Sequence, residues 1–562
     1  YGVNMPSVPR ILIGFNRDVA WSFTNTGADV LDYYEEEVDD PEDPVRYRVD
    51  GVWRPLDTRI EEIRGPDGEV LAVDTLYMTH RGPMIENEGR FLSMAWTVLG
   101  AGSGGAGPAG GEDRALRAIM EAESVEEWME AMASYQAPAQ NGIVADRSGT
   151  IAIRSTGLFP LHPDADGRDV EDGSTTAPEW NGFWPIEDYP QSISPTQGYL
   201  ASANQEPLAP GAYPAARGAS DEAGMEGASS SGVGDAAGAY LGASWTSPWR
   251  ALRINELLRA DSAVTPEAMG RYHLDPGNPR ADHFVPAFLD AVERSASATG
   301  PDGEGEENGG GSPAGGAGSR VDSQLLREAA GLLAEWDRRY TLANERAVLF
   351  EYAMEALVDR TWDELEPPAG PGSDSSNDSG GSGPPDRVAT PSEAILLGLL
   401  DDPDSPWWDH RSTPDVVEHA DDVLRASLVE GYERAVELHG PPEDGGWQWE
   451  EAWAMDIWHM LNLPSLSELR VPTRGGDGTL NPLYSRRGTS GASWRMVVEM
   501  GPQVRGWTIY PGGQSGNPVS PWYADRVGAW SRGELEPALF PRSESELDAD
   551  RVAATLELVP GP

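Results

Sequence analysis

Residues 24–32 read TNTGADVLD and place an amide, Asn25, close to two carboxylates, Asp29 and Asp32. Two carboxylates within four residues, with the backbone carbonyl of Leu31 between them, suit a hard cation that takes oxygen ligands. They are too few to hold Ca²⁺ alone, since that ion takes about 6–8 oxygens. In so acidic a chain the alternative is a pair of solvated aspartates, and for Asn25 it is an asparagine in a turn.

Other groups that often carry chemistry are absent or wrongly spaced. The chain has no Cys, which excludes disulfides, thiolate nucleophiles and zinc–thiolate sites. Its His residues show neither the H-E-x-x-H spacing nor a metal-type cluster with acids, so most are expected on the surface or in packing. Ser515 is not part of a G-x-S-x-G elbow, because Asn517 stands at the second glycine position. No glycine-rich phosphate loop follows a strand, so no nucleotide cofactor is expected.

The elements around residues 24–32 are predicted to be strands. Residues 8–15 and 19–23 are apolar runs separated by a hairpin-like turn at 16–18. Residues 115–135 carry apolar side chains at helical spacing, and strand signals resume at residues 142–153. This part of the chain is therefore predicted to be rich in strands, with helical cover.

The middle of the chain is predicted to be helical, in residues 249–258, 281–292, 323–357, 414–438 and 447–463. Strands return after about residue 469. Four segments rich in small, polar and acidic residues are expected to be flexible surface insertions, because similar structure continues on both sides: 101–113, 206–240, 299–320 and 368–390. Residues 1–562 are thus expected to form one α+β unit.

The charge balance excludes several partners. The chain has 93 Asp+Glu against 41 Lys+Arg, a net charge of −52, and every one of those basic residues is Arg. Such a surface repels nucleic acid and anionic lipid, and no apolar run is long enough to cross a membrane. Self-repulsion of this size is relieved at molar salt, where the Debye length is about 3 Å. A high-salt environment is therefore expected; an ordinary acidic secreted protein is the alternative.

Four separated segments carry a resemblance to the penicillin acylase family. They are residues 9–29, which contain PRILIGFN, VAW and TNTGAD; residues 198–205, GYLASANQ; residues 249–258, WRALRINELL; and residues 511–518, PGGQSGNP. Each is weak alone, but their order and span cover nearly the whole chain. The resemblance implies the four-layer αββα sandwich of N-terminal-nucleophile hydrolases, with a helical middle and acidic insertions.

The resemblance also implies roles for particular residues. The backbone N–H of Asn25 and the side-chain amide of Asn204 correspond to the two oxyanion donors, and Arg250 corresponds to the active-site arginine that orients the amides. Asp29, the Leu31 carbonyl and Asp32 resemble part of the family's calcium site, so a structural Ca²⁺ is expected. Glycines and proline in residues 511–518 are expected to be structural.

The reaction implied is hydrolysis of a side-chain amide, in a β-lactam or an N-acyl-homoserine lactone. In the family, the nucleophile is an N-terminal Ser of the large subunit, and its own α-amine is the base. Tyr1 cannot replace that Ser, so the nucleophile is expected to lie outside this chain, together with a small subunit from the same precursor. Family members are usually exported, which favours an extracytoplasmic location. The alternative is an inactive remnant or binding module from a truncated gene.

Overall fold

The protein is described here by a computed structural model. It covers residues 1–99, 111–162, 167–208, 240–298, 322–365 and 390–547, apart from positions 7, 88, 244, 485, 489 and 490, and also residues 552 and 554–556.

The chain forms short strands and medium-length helices in alternating blocks. The strands are β1 (Gly2–Val3), β2 (Ile13–Phe15), β3 (Val19–Asn25), β4 (Leu31–Glu35), β5 (Glu37–Val38), β6 (Arg46–Val49), β7 (Val52–Pro55), β8 (Asp57–Arg64), β9 (Val70–Met78), β10 (Pro83–Asn87), β11 (Arg90–Trp96), β12 (Gln140–Asp146), β13 (Ile151–Thr156), β14 (Glu171–Asp172), β15 (Gln191–Ile193), β16 (Ala454–Ile457), β17 (Glu468–Val471), β18 (Arg487–Gly488), β19 (Arg495–Glu499), β20 (Arg505–Ile509) and β21 (Glu536–Pro537). The α-helices are α1 (Gly111–Glu121), α2 (Val125–Met132), α3 (Trp249–Ala260), α4 (Pro266–Tyr272), α5 (Pro279–Ala298), α6 (Ser323–Ala334), α7 (Ala347–Thr361), α8 (Glu393–Leu399), α9 (Ala420–His439), α10 (Trp449–Ala452) and α11 (Val527–Arg532).

Two six-stranded sheets organise the β part. One has the order β1-β2-β3-β12-β13-β15, and the other has the order β14-β4-β11-β10-β9-β8. Three smaller sheets follow the orders β17-β16-β18, β19-β20-β21 and β5-β6-β7. Because β3 and β4 belong to different large sheets, residues 26–30 carry the chain from one sheet to the other. The motif at residues 24–32 therefore spans this crossing.

Strand β3 is set by a turn and by one apolar face. The side-chain oxygen of Asn16 accepts hydrogen bonds from the backbone N–H groups of Asp18 and Val19, at 2.7 and 2.8 Å, which closes the predicted turn. Val19 and Trp21 then alternate into a core shared with α1 and α2, where Trp128 is fully buried. The alternation fixes which face of β3 the helices cover.

The helical middle packs around the largest core. Helices α5, α6, α7 and α9 contribute to it, and α7 and α9 make the most extensive contact between elements. The predicted helix at 323–357 is wrong in one respect, since it is two helices, α6 and α7. Asn344 explains the second start, because its side-chain oxygen accepts from the N–H groups of Arg346 and Ala347.

The predicted helix at 447–463 is also wrong beyond its first turn. Helix α10 ends at Ala452, and residues Ala454–Ile457 form β16, which pairs with β17. The rings of Trp449 and Trp453 stack at 4.9 Å and both are buried. Short apolar runs of this kind suit a helix or a strand equally well, so periodicity could not distinguish them.

Two of the predicted insertions need correction where they are described. Gly111 to Asp113 belong to α1 rather than to an insertion, and Gly111 is buried against the backbone of Ser134. Tyr240, at the end of the 206–240 segment, is held by a hydrogen bond to Asp29. Residues 299–320, 368–389, 101–110 and 209–239 lie outside the described residues. Among the helices that are described, none has both the length and the apolar character needed to cross a membrane.

Candidate active site

Asn25 is the last residue of β3, and its backbone amide faces away from β12. The N–H of Thr26 bonds to the carbonyl of Ala139, which makes the neighbouring Asn25–Gln140 pair a non-hydrogen-bonded one in the antiparallel ladder. The N–H and C=O of Asn25 therefore point to the opposite edge of β3. There β2 pairs only with Ala20 and Trp21, so no described strand occupies this edge beside Asn25.

Asn204 lies against that edge. Its side-chain Nδ2 donates to the backbone carbonyl of Asn25 at 2.9 Å, across 179 positions of sequence. Its backbone is left-handed, with φ of 64°, a conformation that asparagine tolerates better than most residues. The structure thus brings together the two asparagines that the sequence predicted as partners. An amide nitrogen carries two protons, so one remains for a further acceptor.

Arg250 holds the other end of the same amide. Its Nη2 donates to Oδ1 of Asn204 at 2.9 Å. Because a guanidinium can only donate, Oδ1 must face Arg250 and Nδ2 must face Asn25. Within the described part of the chain, no carboxylate lies close enough to form an ion pair with Arg250. The first turn of α3 places Arg250 here, next to the fully buried Trp249.

A polar network joins the strand and loop that carry the two asparagines. The hydroxyls of Thr24 and Ser202 lie 2.6 Å apart, one or two residues from Asn25 and Asn204. Asn141 donates to Thr24 at 3.5 Å and accepts from Ser155 at 2.7 Å, so the network continues across β12 and β13. These bonds fix the relative position of residues distant in sequence.

Gln140 fixes the side chain of Asn25. Its Nε2 donates at 2.9 Å to Oδ1 of Asn25, while the same nitrogen also reaches the carbonyl of Ala139. Oδ1 of Asn25 is thereby occupied, while its backbone N–H points to the open edge of β3. The use of this N–H as an oxyanion donor stays a prediction.

Three aromatic residues, Trp21, Phe23 and Trp249, lie close in sequence to Asn25 or Arg250. Trp21 and Trp249 are buried in separate cores, with 3% and 1% exposure. Phe23 is only half-buried, and its ring lies 5.9 Å from Trp128 and 6.4 Å from Tyr135. Only Phe23 of the three is therefore both close to Asn25 in sequence and open to a ligand.

Tyr1 is engaged elsewhere. Its phenol lies 3.3 Å from the hydroxyl of Thr508, and its α-amine donates to the carbonyl of Phe15 at 3.0 Å. Neither group contacts Asn25, Asn204 or Arg250. The arrangement of these three can stabilise a developing negative charge on an oxygen, because it offers two neutral donors beside an unpaired strand edge.

The predicted metal ligands lie at the crossing between the two large sheets. Asp32 is buried and Asp29 is half-buried. Since Thr97 bonds to the carbonyl of Val30, the polar groups of Leu31 point away from β11. Burial raises the pKa of Asp29 to about 6, and the charge of Asp32 adds to the shift. Two acids this close need a cation or donors to offset their repulsion.

His162 joins these carboxylates, contrary to the expectation that no His clusters with acids. Its Nε2 lies 3.1 Å from Oδ2 of Asp32, and both side chains are almost fully buried. Ligand atoms of Asp29, Asp32 and His162 all lie within 4.8 Å of one another. Trp180 donates to the same Oδ2 of Asp32 at 2.5 Å. The group fits a divalent cation, but its nitrogen donor departs from an all-oxygen calcium set.

The comparisons with known proteins place the whole chain in one family. The family model described as penicillin amidase matches residues 1–546. The chain belongs to the penicillin amidase family. The predicted family is therefore confirmed.

Similar proteins of this family are named acylases. The chain is 26% identical to acyl-homoserine lactone acylase QuiP of Pseudomonas syringae pv. syringae over 593 residues, covering 100% of this chain and 63% of that protein. It is 25% identical to the protein of the same name from Pseudomonas aeruginosa, covering 97% and 62%. The chain thus spans less than two thirds of the length of these relatives.

A solved structure shows the same fold. The thermostable penicillin G acylase from Alcaligenes faecalis superimposes with a TM-score of 0.64 at 18% identity, covering 100% of this chain and 92% of that one. The predicted α+β N-terminal-nucleophile hydrolase fold is confirmed by this match. At such low identity the likeness concerns the fold, and the roles of Asn25, Asn204 and Arg250 stay predictions.

Sequence reasoning on this penicillin amidase family member missed four residues of the two sites. Gln140 supports Asn25, while His162, Trp180 and Tyr240 surround the aspartates. No spacing rule could have found them, since they are separated from their partners by more than 100 positions. The acidic environment of residues 29–32 was the only available signal, and it did not indicate which distant segment would cover it.

Proposed function

We propose that this chain provides the oxyanion-binding part of an amidohydrolase. The observation that carries the proposal is the single amide of Asn204, held between the carbonyl of Asn25 and the guanidinium of Arg250. In this proposal, the second amide proton of Asn204 and the outward-facing N–H of Asn25 are the two donors to the substrate oxygen. Two preorganised neutral donors suit the tetrahedral intermediate of acyl transfer, and each is typically worth about 2.7–4 kcal/mol of the barrier.

The nucleophile of the proposed reaction is an N-terminal Ser from outside residues 1–562. Its hydroxyl attacks the substrate carbonyl, and its α-amine takes the hydroxyl proton. An α-amine has a pKa of about 7.7–8.0, so it serves as a base near neutral pH without a His. The carbonyl oxygen becomes negative and receives hydrogen bonds from Asn25 and Asn204. Collapse of the intermediate returns that proton to the leaving amine and leaves the acyl group on the serine as an ester, and attack by water then frees the carboxylic acid and the serine.

Arg250 has a positioning role in this proposal. It does not need to touch the reacting oxygen, because its bond to Oδ1 fixes the direction of the Asn204 amide. Its remaining N–H groups have no carboxylate partner in the described residues, so they are available to a polar or anionic group of the substrate.

The substrate proposed is a side-chain amide of the N-acyl-homoserine lactone or β-lactam type. The names of the similar proteins support this class, and Phe23 offers an apolar surface near Asn25 for the acyl group. A small subunit from the same precursor is the proposed partner at the open edge of β3. An extracytoplasmic and saline location is proposed as well, and the charge of −52 supports its saline part.

The first experiment reads the DNA upstream of Tyr1 and measures hydrolysis by two forms of the protein. A continuous frame with a small subunit and a Gly-Ser junction is expected. The form with this upstream part should release free amine from an acyl-homoserine lactone, and residues 1–562 alone should not. An interrupted frame would favour an inactive remnant or binding module. Hydrolysis by residues 1–562 alone would refute the external serine.

The second experiment tests the oxyanion donor itself. Asn204→Ala in the active form is expected to lower kcat by about 10²–10³, because one of two donors is lost. Asn462→Ala is the matched control, since Asn462 is also left-handed, with φ of 52°, but is exposed and makes none of these contacts. Equal kcat in the two variants would reject the role of Asn204.

A further inference from the structure

The side chains of Asp29, Asp32 and His162 converge next to Gly167. A Cβ added to Gly167 would lie 2.6 Å from Oδ2 of Asp29, 2.6 Å from Oδ1 of Asp32 and 3.0 Å from Nε2 of His162. Three potential ligand atoms from two distant segments therefore converge on a space that a glycine leaves open. Gly167 has φ of 67°, which independently favours glycine at this position.

The atoms that converge are not all satisfied by the protein. Oδ1 of Asp32, one of these three atoms, is buried and has no hydrogen-bond partner among the described residues. A buried carboxylate oxygen without a donor is costly. An ion bound by Oδ1 would remove that cost for Asp32.

The surrounding donors orient the aspartates without filling the space. Tyr240 donates to Oδ2 of Asp29 at 3.0 Å, and Trp180 donates to Oδ2 of Asp32 at 2.5 Å. Such outer contacts commonly fix the direction of metal-binding carboxylates. They leave Oδ1 of Asp32 for a ligand, and with the His162 proton on Nδ1 the lone pair of Nε2 faces the same space.

We infer that Asp29, Asp32 and His162 form a binding site for a transition-metal dication of the Zn²⁺ or Mn²⁺ type, and that the site prefers such an ion to Ca²⁺. Carboxylates accept all of these ions, but an imidazole nitrogen suits zinc and its neighbours and not calcium, which takes oxygen ligands. The carbonyl of Leu31, directed away from β11, is available as a further oxygen. His162 is thus the residue that decides which metal binds.

A bound metal would stabilise residues 26–30, which connect the two large sheets after Asn25. Asp29 and Asp32 bracket the entry into β4, and the N–H of Asp29 already bonds to the carbonyl of Leu241 at 2.8 Å. A metal bridge to His162 would add a third segment to this junction. The expected effect is on binding and on the stability of the crossing, which is independent of the proposed amide hydrolysis.

Calorimetric titration of the chelator-treated protein tests the inference. Zn²⁺ is expected to bind one site more tightly than Ca²⁺, and to raise the Tm as it does so. His162→Gln is expected to weaken zinc binding at least about tenfold, since loss even of an outer contact costs about 10–100-fold. His419→Gln should leave zinc affinity unchanged; His419 also faces an aspartate, Asp404, at 3.1 Å, but in an exposed pair.

His162→Asp gives a readout that a merely structural His would not change. It makes the donor set all-oxygen, so the ratio of calcium to zinc affinity is expected to rise at least about tenfold. Tighter calcium than zinc binding by the unaltered protein would overturn the inference. So would absence of zinc binding, or equal zinc affinity in His162→Gln and His419→Gln. Because binding is measured, these results do not depend on whether the protein hydrolyses amides.

Discussion

Arg250 and Arg280 lie near each other in the fold but have opposite environments. Arg280 is buried, and its guanidinium contacts Glu351 at 3.0 Å and Glu393 at 2.6 Å. Arg250 is half-buried and bonds to a neutral amide, with no carboxylate partner in the described chain. Both terminal nitrogens of Arg280 contact carboxylates, while Arg250 keeps donors free of them. In a chain with 93 acidic residues, that difference supports the proposed role of Arg250 toward a ligand.

The two arginines are linked through one tryptophan. Trp249 donates from its indole to Glu393 at 2.7 Å, and Glu393 in turn binds Arg280. Because Trp249 precedes Arg250, the buried ionic cluster also anchors the start of α3. The helical core therefore fixes the position of Arg250 through the neighbouring Trp249.

The largest effect, on the free energy of unfolding, is expected from substitution of Arg280. Arg280→Met leaves the buried Glu351 and the half-buried Glu393 without their cation, and removing one partner of a buried pair typically costs about 3–5 kcal/mol. Urea unfolding should show this loss in the free energy of unfolding. Arg360→Met is the matched control on α7, since its pair with Glu430 is exposed and should be worth at most about 1 kcal/mol. Equal losses would contradict the assignment of Arg280 as the structural arginine.

A third arginine, Arg495, lies near a histidine whose protonation should make the stability depend on pH. Arg495 is buried without an acid partner among the described residues, and bonds to Asn481 at 2.9 Å. Nearby, burial lowers the pKa of His273 from 6.5 to about 4, and the charge of Arg495 adds to the shift. Between pH 6.5 and 4, His273 is therefore protonated in the unfolded chain but neutral in the folded chain.

The contribution of His273 to the free energy of unfolding should accordingly be fully present above pH 6.5 and be lost as the pH falls from 6.5 to 4. This contribution amounts to up to about 3 kcal/mol, since each pKa unit is worth about 1.36 kcal/mol. Unfolding free energies of His273→Gln measured from pH 4 to 7 should show a shallower slope than the parent. The exposed His419→Gln should keep the parental slope, and an unchanged slope in His273→Gln would reject a neutral buried His273.

A smaller effect is expected at the site arginine. Arg250→Met removes the bond that directs the Asn204 amide, so kcat/KM should fall about 10–100-fold, or about 1.4–2.7 kcal/mol. The Tm should change little, because no buried charge loses its partner. A loss of stability as large as that of Arg280→Met would show that the two arginines do not differ in kind.

The sequence was sufficient for the fold class and for the residues that lie in short motifs. Asn25, Asn204 and Arg250 were predicted because each sits in a short segment that resembles the family, and the structure places them in contact. The α+β class was predictable because strand and helix periodicities occupy different blocks. These features are local, and local patterns are what a single sequence displays.

The remainder depends on contacts between distant segments. His162 contacts Asp32 across 130 positions of sequence, and no periodicity predicts such a pair. The break between α6 and α7 depends on one capping side chain, Asn344, inside an otherwise helical pattern. The strand β16 was missed because burial of tryptophans suits either element. Tertiary contacts decided all three.

The most direct test is a double-mutant cycle for Arg250→Met and Asn204→Ala in the hydrolytically active protein. If Arg250 acts by directing the Asn204 amide, it has little left to direct once that amide is gone. The second substitution should then cost much less than it does alone, with a coupling energy of at least about 1 kcal/mol in kcat/KM. Additive losses in the cycle would contradict the claim that Asn25, Asn204 and Arg250 form one oxyanion-binding unit.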